Sequence, residues 1–286
     1  MSDPRCTPAN GRVAHVTLKG KVTADRFVSG EDRVAKVATT PILRSPGGSI
    51  NRELLFGQIF VVLETVGDPR TGHAFGYAAR DGYCGYVKAS DLGEVPAVNH
   101  VVAVRETYRL PQADLKCAGP CQSLYLGSML AVTGTEGDWS RLDQDAGYVP
   151  SCHLREISET AADPVSVARL FLGTPYVWGG NSGRGIDCSG LVQAAFLACG
   201  WPCPGDSDLI ETMAGTSLDR DRPLEGGDLI FWKGHTAMAT GPTTMIHANA
   251  HHMMVAEEPI EPALARIAAS DTGPETSRLR PAPLTD

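Results

Sequence analysis

TPYVWGGNSGRGIDCSGLVQAAFLACG, running from Thr174 to Gly200, decides how the rest of the chain is read. A glycine-rich loop leads into an amphipathic helix with Cys188 at the junction. Leu191, Val192, Ala195, Phe196 and Cys199 recur at helical spacing and mark an apolar face. Gly200, with Pro202 behind it, is a stop signal. Cys188 therefore falls in the first helical turn. Backbone N–H groups are unpaired there, and the positive helix end favours thiolate over thiol. Gly179, Gly180, Gly183 and Gly185 let the loop turn tightly and bring a ligand close to the sulfur.

Around this stretch the pattern is that of an α+β domain. Pro164 to Leu172 reads as a helix, with Pro in its first turn and Val165, Val167, Ala168 and Phe171 apolar. Residues 201–224 are polar and rich in Pro and Gly, with a short helix near Leu209 to Ala214. From Leu224 onward LEGGDLIFW, GHTAMAT, TMIHAN and MMVAEE alternate as strands, with a turn at Gly241-Pro242. In a simple hairpin, paired residues have a constant sum. His235 and His247 sum to 482, centred on Gly241, which puts them opposite each other on one face. A one-residue slip would separate them, and a bulge would let Asn249 take the place of His247. After Ile267 the composition shifts to Pro, Thr, Ser and Asp, so about the last 15 residues are expected to be a mobile tail.

Upstream lies an internal repeat. Leu54-Leu55-Phe56-Gly57 recurs as Leu124-Tyr125-Leu126-Gly127, and VLETVGD (62–68) as VTGTEGD (132–138), both at an offset of 70. GYVKASDL (85–92) recurs as GYVPSCHL (147–154) at an offset of 62, so the first copy carries eight extra residues, expected in a loop around Asp68 to Asp81. Each copy is a run of short strands punctuated by Gly and Asp, the pattern of a small β-barrel. The copies span 36–96 and 97–158, after an N-terminal segment 1–35 in which His15 to Val22 alternates like a strand. The domain with Cys188 occupies 159–286, with Glu159 to Asp163 as a linker.

At 42% apolar and 20% charged residues the chain is a folded protein of two or three domains. Its net charge of −8, without a basic cluster, argues against nucleic acid and anionic membrane surfaces as partners. Neither a secretory leader nor an apolar span is visible, so a cytoplasmic setting is expected. The eight cysteines are then expected to be reduced, and all but Cys188 to be buried or half-exposed structural thiols. Cys117-x-x-x-Cys121 with Cys152-His153 lacks the spacing of a common zinc module, so neither metal nor cofactor is expected.

The ordered set PYVWGG, DCSG at a helix start, GDLIFW-x-GH, and a further His twelve residues on resembles the NlpC/P60 cysteine peptidases over about Asp163 to Ile267. The two copies ahead of it, with Trp139 after the second GD turn, resemble bacterial SH3-like domains. The first copy lacks that Trp. Together they narrow the resemblance to γ-D-glutamyl-L-diamino acid endopeptidases. It implies two SH3-like β-barrels followed by a papain-like α+β domain. Cys188 would be the nucleophile, His235 the base and His247 the residue that orients it. Tyr176 would sit by the oxyanion or substrate backbone. Ser189, Asp206 and Ser207 would contact substrate, and Glu53 and Tyr83 of the first barrel are candidates to fix its free amine. The implied substrates are murein stem peptides such as L-Ala-γ-D-Glu-diamino acid, met during recycling. A secreted wall endopeptidase and a non-catalytic muropeptide-binding module are the alternatives. The strand GHTAMAT departs from the family's version at Thr236 and lacks its aromatic.

Overall fold

The Leu-x-x-Gly motif at 54–57 and 124–127 forms the same turn twice. Gly57 and Gly127 both take positive φ, 76° and 88°. Gln58 and Ser128, the residues that follow, each donate their backbone N–H to the carbonyl three residues back, on Leu55 and Tyr125. Each also turns its side-chain oxygen onto the N–H of that same residue, at 3.0 and 3.1 Å. The later GYV motifs match as well, since each runs into a 3-10 turn, Ala89–Asp91 and Ser151–His153. The repeat read from the sequence is thus a repeat of hydrogen bonds.

The computed structural model describes residues 3–68, 70–143 and 146–282. These fall into two units, Met1–Glu159 and Thr160–Asp286. In the first unit, seven antiparallel strands form a sheet in the order Ile50–Leu55, Thr39–Leu43, Cys84–Lys88, His73–Ala78, Ile59–Val66, Glu31–Ala35, Leu92–Gly93. Its two edge strands are not paired with each other, so among the described residues the sheet stays open where a closed barrel was expected. The sheet also takes in Glu31–Ala35, ahead of residue 36. The stretch expected as a loop around Asp68 to Asp81 contains the strand His73–Ala78, because Ala74, Phe75 and Ala78 are buried. The second copy is divided among three small antiparallel sheets around Val102, Leu124, Leu130, Leu142 and Val149. Phe56 of the first copy packs against that core, and its carbonyl accepts from the Met129 N–H at 2.8 Å. A Cβ on Gly57 would meet the Met129 carbonyl oxygen at 1.9 Å, so only glycine fits this junction.

The N-terminal strand is Val13–His15, not His15 to Val22; Val16–Leu18 is a 3-10 turn. Val13 packs with Leu63 and Phe75, while Arg12 and Arg26 both pair with Glu64, so the segment adheres to the first sheet.

The second unit is built on a six-stranded antiparallel sheet in the order Gly215–Ser217, Ser277–Pro281, Leu229–Trp232, His235–Ala239, Thr244–Asn249, Met254–Pro259. The helix Cys188–Ala198 packs on the His235 and His247 strands. It is buried almost all round, not only on the face with Leu191, Val192, Ala195 and Phe196; Ser189, Gln193 and Ala198 are buried too. The amphipathic reading fails because Gln193 is satisfied inside, by the Asn181 amide and the Cys203 carbonyl, each at 3.0 Å. The preceding helix is shorter than expected, Pro164–Arg169, and Asp163 caps it from within the proposed linker. The short helix is Ser207–Ile210 in place of Leu209 to Ala214.

The expected mobile tail is also corrected. Ser277–Pro281 is an interior strand between Leu229–Trp232 and Gly215–Ser217. Arg280 forms a two-point contact with the buried Asp228, with both bonds at 2.8 Å. Residues 283–286 lie outside the described residues. No described helix is long and apolar enough to cross a membrane.

Candidate active site

Cys188 opens its helix, as the sequence implied, and Asp187 is the N-cap. One Asp187 oxygen accepts from the Gly190 N–H at 2.6 Å and the Ser189 hydroxyl at 3.0 Å; the other accepts from the Gly179 N–H at 3.0 Å. One carboxylate thus ties the glycine loop to the first helical turn. A Cβ on Gly180 would come within 2.4 Å of the Gly185 carbonyl oxygen, and one on Gly190 within 2.5 Å of the Gly180 oxygen. Those two glycines serve close packing of the loop on itself and on the helix. Cys188 is 5% exposed.

His235 and His247 share one face, though not as a directly opposed pair. The ladder pairs Met238 with Ile246 and Ala239 with Met245, a sum of 484. Thr240 then bonds Thr244, so the turn is Gly241-Pro242-Thr243, centred one residue later than expected. A shift of two in the sum keeps the face and makes the histidines diagonal neighbours, within reach of long side chains. Their Nε2 (His235) and Nδ1 (His247) atoms are 2.9 Å apart. Asn249 is occupied elsewhere: its side-chain oxygen accepts the His252 N–H at 2.8 Å. Behind His235 the Trp232 ring lies 5.5 Å away, centroid to centroid. The unusual Thr236 is fully buried and donates to the Ile230 carbonyl at 3.2 Å.

The geometry also brings in two residues that the motifs did not single out. Glu258 receives His247 Nε2 at 2.7 Å, and Arg266 grips Glu258 from the following helix, Ile260–Ala268. That helix was readable from Ile260, Ala263, Leu264 and Ile267 at positions i, i+3, i+4 and i+7.

Burial pushes the His235 imidazole down to about 3, with the neighbouring His247 and Arg266 adding to it. His247 is lowered for the same first reason, against the pull of Glu258. Burial alone would raise Glu258, but its bonds from His247 and Arg266 prevail and hold it at about 2. Both imidazoles are therefore neutral near pH 7. The folded protein refuses protons that its unfolded chain accepts from about pH 6.5 downward. We expect stability to fall as pH drops from about 6.5 to 4.5, above the carboxylate range, and His235→Gln to flatten that decline. Denaturant midpoints across this window check it. A profile equally steep in the variant would contradict it.

Tyr176 is half-buried, with its N–H on the Met253 carbonyl at 2.9 Å. Burial first, then the nearness of Cys188 and Asp187, raises its hydroxyl, which stays a donor. Ser189 is buried and spends its proton on Asp187. Asp206 and Ser207 start the short helix, which packs against the Cys188 helix and the His235 strand; Ser207 is 9% exposed. Glu53 and Tyr83 belong to the other unit. Glu53 lies in the strand Ile50–Leu55 and its carbonyl accepts from Arg80 at 2.7 Å. Tyr83 is buried in the core with Ile42, Leu54 and Phe60, and its N–H donates to Asp81 at 3.0 Å.

His247, His252 and Glu258 offer donor atoms within 4.8 Å of one another, the one set with metal-like spacing among the described residues. Arg266 already holds both Glu258 oxygens and His247 bonds one of them, so we assign the set no metal. Cys117, Cys121, Cys152 and His153 form no such group among the described residues, and His153 bonds Thr107 at 2.7 Å. All eight cysteines are thiols. Cys6, Cys121 and Cys152 are exposed, where buried or half-exposed thiols were expected, while Cys84 is pushed up to about 12 by burial.

Residues 173–266 match the model of the NlpC/P60 family, and residues 42–92 match that of the bacterial dipeptidyl-peptidase Sh3 domain. The gamma-D-glutamyl-L-lysine dipeptidyl-peptidase of Bacillus subtilis is 38% identical over 98 residues, or 31% of this chain and 32% of that protein. Its namesake in Bacillus cereus is 38% identical over 96 residues, 31% of this chain and 28% of that one. Dipeptidyl-peptidase 6 of Lysinibacillus sphaericus is 40% identical over 85 residues, 30% and 31% of the two chains. The chain thus spans about a third of the length of these relatives. The crystal structure of an NlpC/P60 family protein from Bacillus cereus superposes with a TM-score of 0.68 at 18% identity, over 88% of this chain and 100% of the other, which is a likeness of fold.

Proposed function

Because the chain carries an NlpC/P60 domain behind a bacterial SH3 domain, we propose that it is a cysteine peptidase. It cuts the bond between γ-D-glutamate and the following diamino acid in stem peptides that begin with a free L-Ala. The observation that carries the reading is the 2.9 Å bond between His235 and His247, on strands that pack under the helix opened by Cys188. The names of the two Bacillus relatives support the choice of bond.

In this reading the Cys188 thiol passes its proton to Nδ1 of His235, and the thiolate attacks the γ-carbonyl carbon of the glutamate. The Cys188 N–H and the Tyr176 hydroxyl face the developing oxyanion. His235 returns the proton to the leaving amine, and water then releases the thioester. Ser207 and Asp206, at the start of their helix, contact the peptide; Ser189 acts through Asp187. The second repeat, with its matching turn at Gly127, is a divergent SH3-like unit. The substrates are free muropeptides in the cytoplasm.

Hydrolysis of L-Ala-γ-D-Glu-meso-diaminopimelate, with and without an N-acetyl cap, tests this. We expect cleavage of the uncapped peptide only. Equal cleavage of both would replace the recycling reading with a wall endopeptidase. Cleavage of neither, with binding retained, would leave a muropeptide-binding module.

A further inference from the structure

A carboxylate, two imidazoles and a guanidinium form one line across the catalytic sheet. His247 pairs with Ala256 across the strands, so Glu258, two residues on, is its diagonal neighbour on one side. His235 is its diagonal neighbour on the other, by the 484 register. Arg266 donates Nη1 to Glu258 Oε2 at 2.8 Å and Nη2 to Oε1, which also receives His247 Nε2 at 2.7 Å. The His247 side chain is wholly buried, and that of Glu258 is 11% exposed.

We propose that Glu258, held by Arg266, is a positioning residue that dictates which nitrogen of His235 carries the proton. A carboxylate in a two-point contact with guanidinium only accepts hydrogen bonds. The His247 nitrogen facing it, Nε2, therefore carries the hydrogen. A neutral imidazole has one N–H, so His247 Nδ1 must accept. Among the described residues, the donor facing it is Nε2 of His235, 2.9 Å away. His235 is thereby fixed as its Nε2–H tautomer, and its Nδ1 keeps the lone pair. That nitrogen has no hydrogen-bond partner among the described residues, as a base awaiting a thiol proton should. With Glu258 replaced by an apolar residue, His247 can present Nδ1–H instead. His235 Nε2 must then accept, and its proton moves to Nδ1, the position that has to be empty.

The inference rests on the reading of Cys188 and His235 as nucleophile and base, so its test includes a readout that needs no substrate. Long-range 1H–15N correlation spectra of histidine-labelled protein distinguish the two tautomers of each ring. In the wild type, both His235 and His247 should be Nε2–H. In Glu258→Ala both should become mixtures, with kcat about a hundredfold lower and KM nearly unchanged. Glu258→Gln offers the same acceptor to His247. It should restore the wild-type tautomers and about tenfold of the lost kcat, which a merely structural role of the charge would not do. Unchanged tautomers in Glu258→Ala, or a Gln variant as impaired as the Ala variant, would overturn the proposal. If the wild type cleaves no stem peptide, the proposed function fails, while the spectra still decide this point.

Discussion

Replacing Cys188 by alanine is expected to abolish hydrolysis of L-Ala-γ-D-Glu-meso-diaminopimelate, with kcat falling by about 10³-fold or more. The sulfur is the sole atom lost, so the fold should be unaffected. The helix N-cap on Asp187 and the glycine loop do not depend on it. The side chain is buried and small, and its removal leaves a cavity of one atom in a unit built on a six-stranded sheet among the described residues. KM should therefore change little. Cys188→Ser should be almost as poor, because His235, pressed toward the neutral form by burial, is a weak base for a hydroxyl. The measurement is peptide release under saturating substrate, with thermal melts of both variants alongside. Activity within tenfold of wild type in Cys188→Ala would remove the nucleophile from the scheme.

The second large effect is one of stability. Arg280→Met should destabilise the second unit and lower its urea midpoint. Asp228 is 2% exposed and turns one oxygen to Arg280 Nε, while its other takes both Arg280 Nη2 and the Glu225 N–H. Without the guanidinium, a buried carboxylate loses its counter-charge. The strand Ser277–Pro281 also loses its anchor, and with it the pairing to Leu229–Trp232, next to the His235 strand. Asp228→Asn in the same chain should recover much of the loss, since the penalty is an unpaired charge rather than missing contact area. Urea unfolding of the wild type and the two variants reads this. Equal stability of Arg280→Met and wild type would mean that the pair is dispensable.

These two residues mark how far the sequence could be read. Cys188 was legible because everything that makes it special is local: a cap at Asp187, a glycine loop before it and an apolar helical run after it. The repeat was legible for a related reason. A turn with positive φ at Gly57 and Gly127 leaves the same short signature wherever it occurs. Arg280 was misread. The alternation in SRLRP is two residues deep, and the Pro, Ser and Thr around it outweighed it. Only the partner strands and the buried Asp228 reveal an interior strand. The pairing of His235 with His247 was foreseen and its register was not, because a turn centred on Pro242 instead of Gly241 shifts the sum by two, which keeps the face.

What the sequence by itself determined, then, is whatever a window of about ten residues can specify: where helices begin, which turns need glycine, which face a strand side chain takes. The tertiary structure decided what joins distant windows. It left the first sheet open, since closure depends on whether two edge strands meet. It made the Cys188 helix buried on nearly all sides, since burial depends on neighbours. It placed Glu258 and Arg266 in line with the two histidines. Hydrogen bonds across strands are set by register and by the packing of a later helix, and neither is written in any single stretch of the chain.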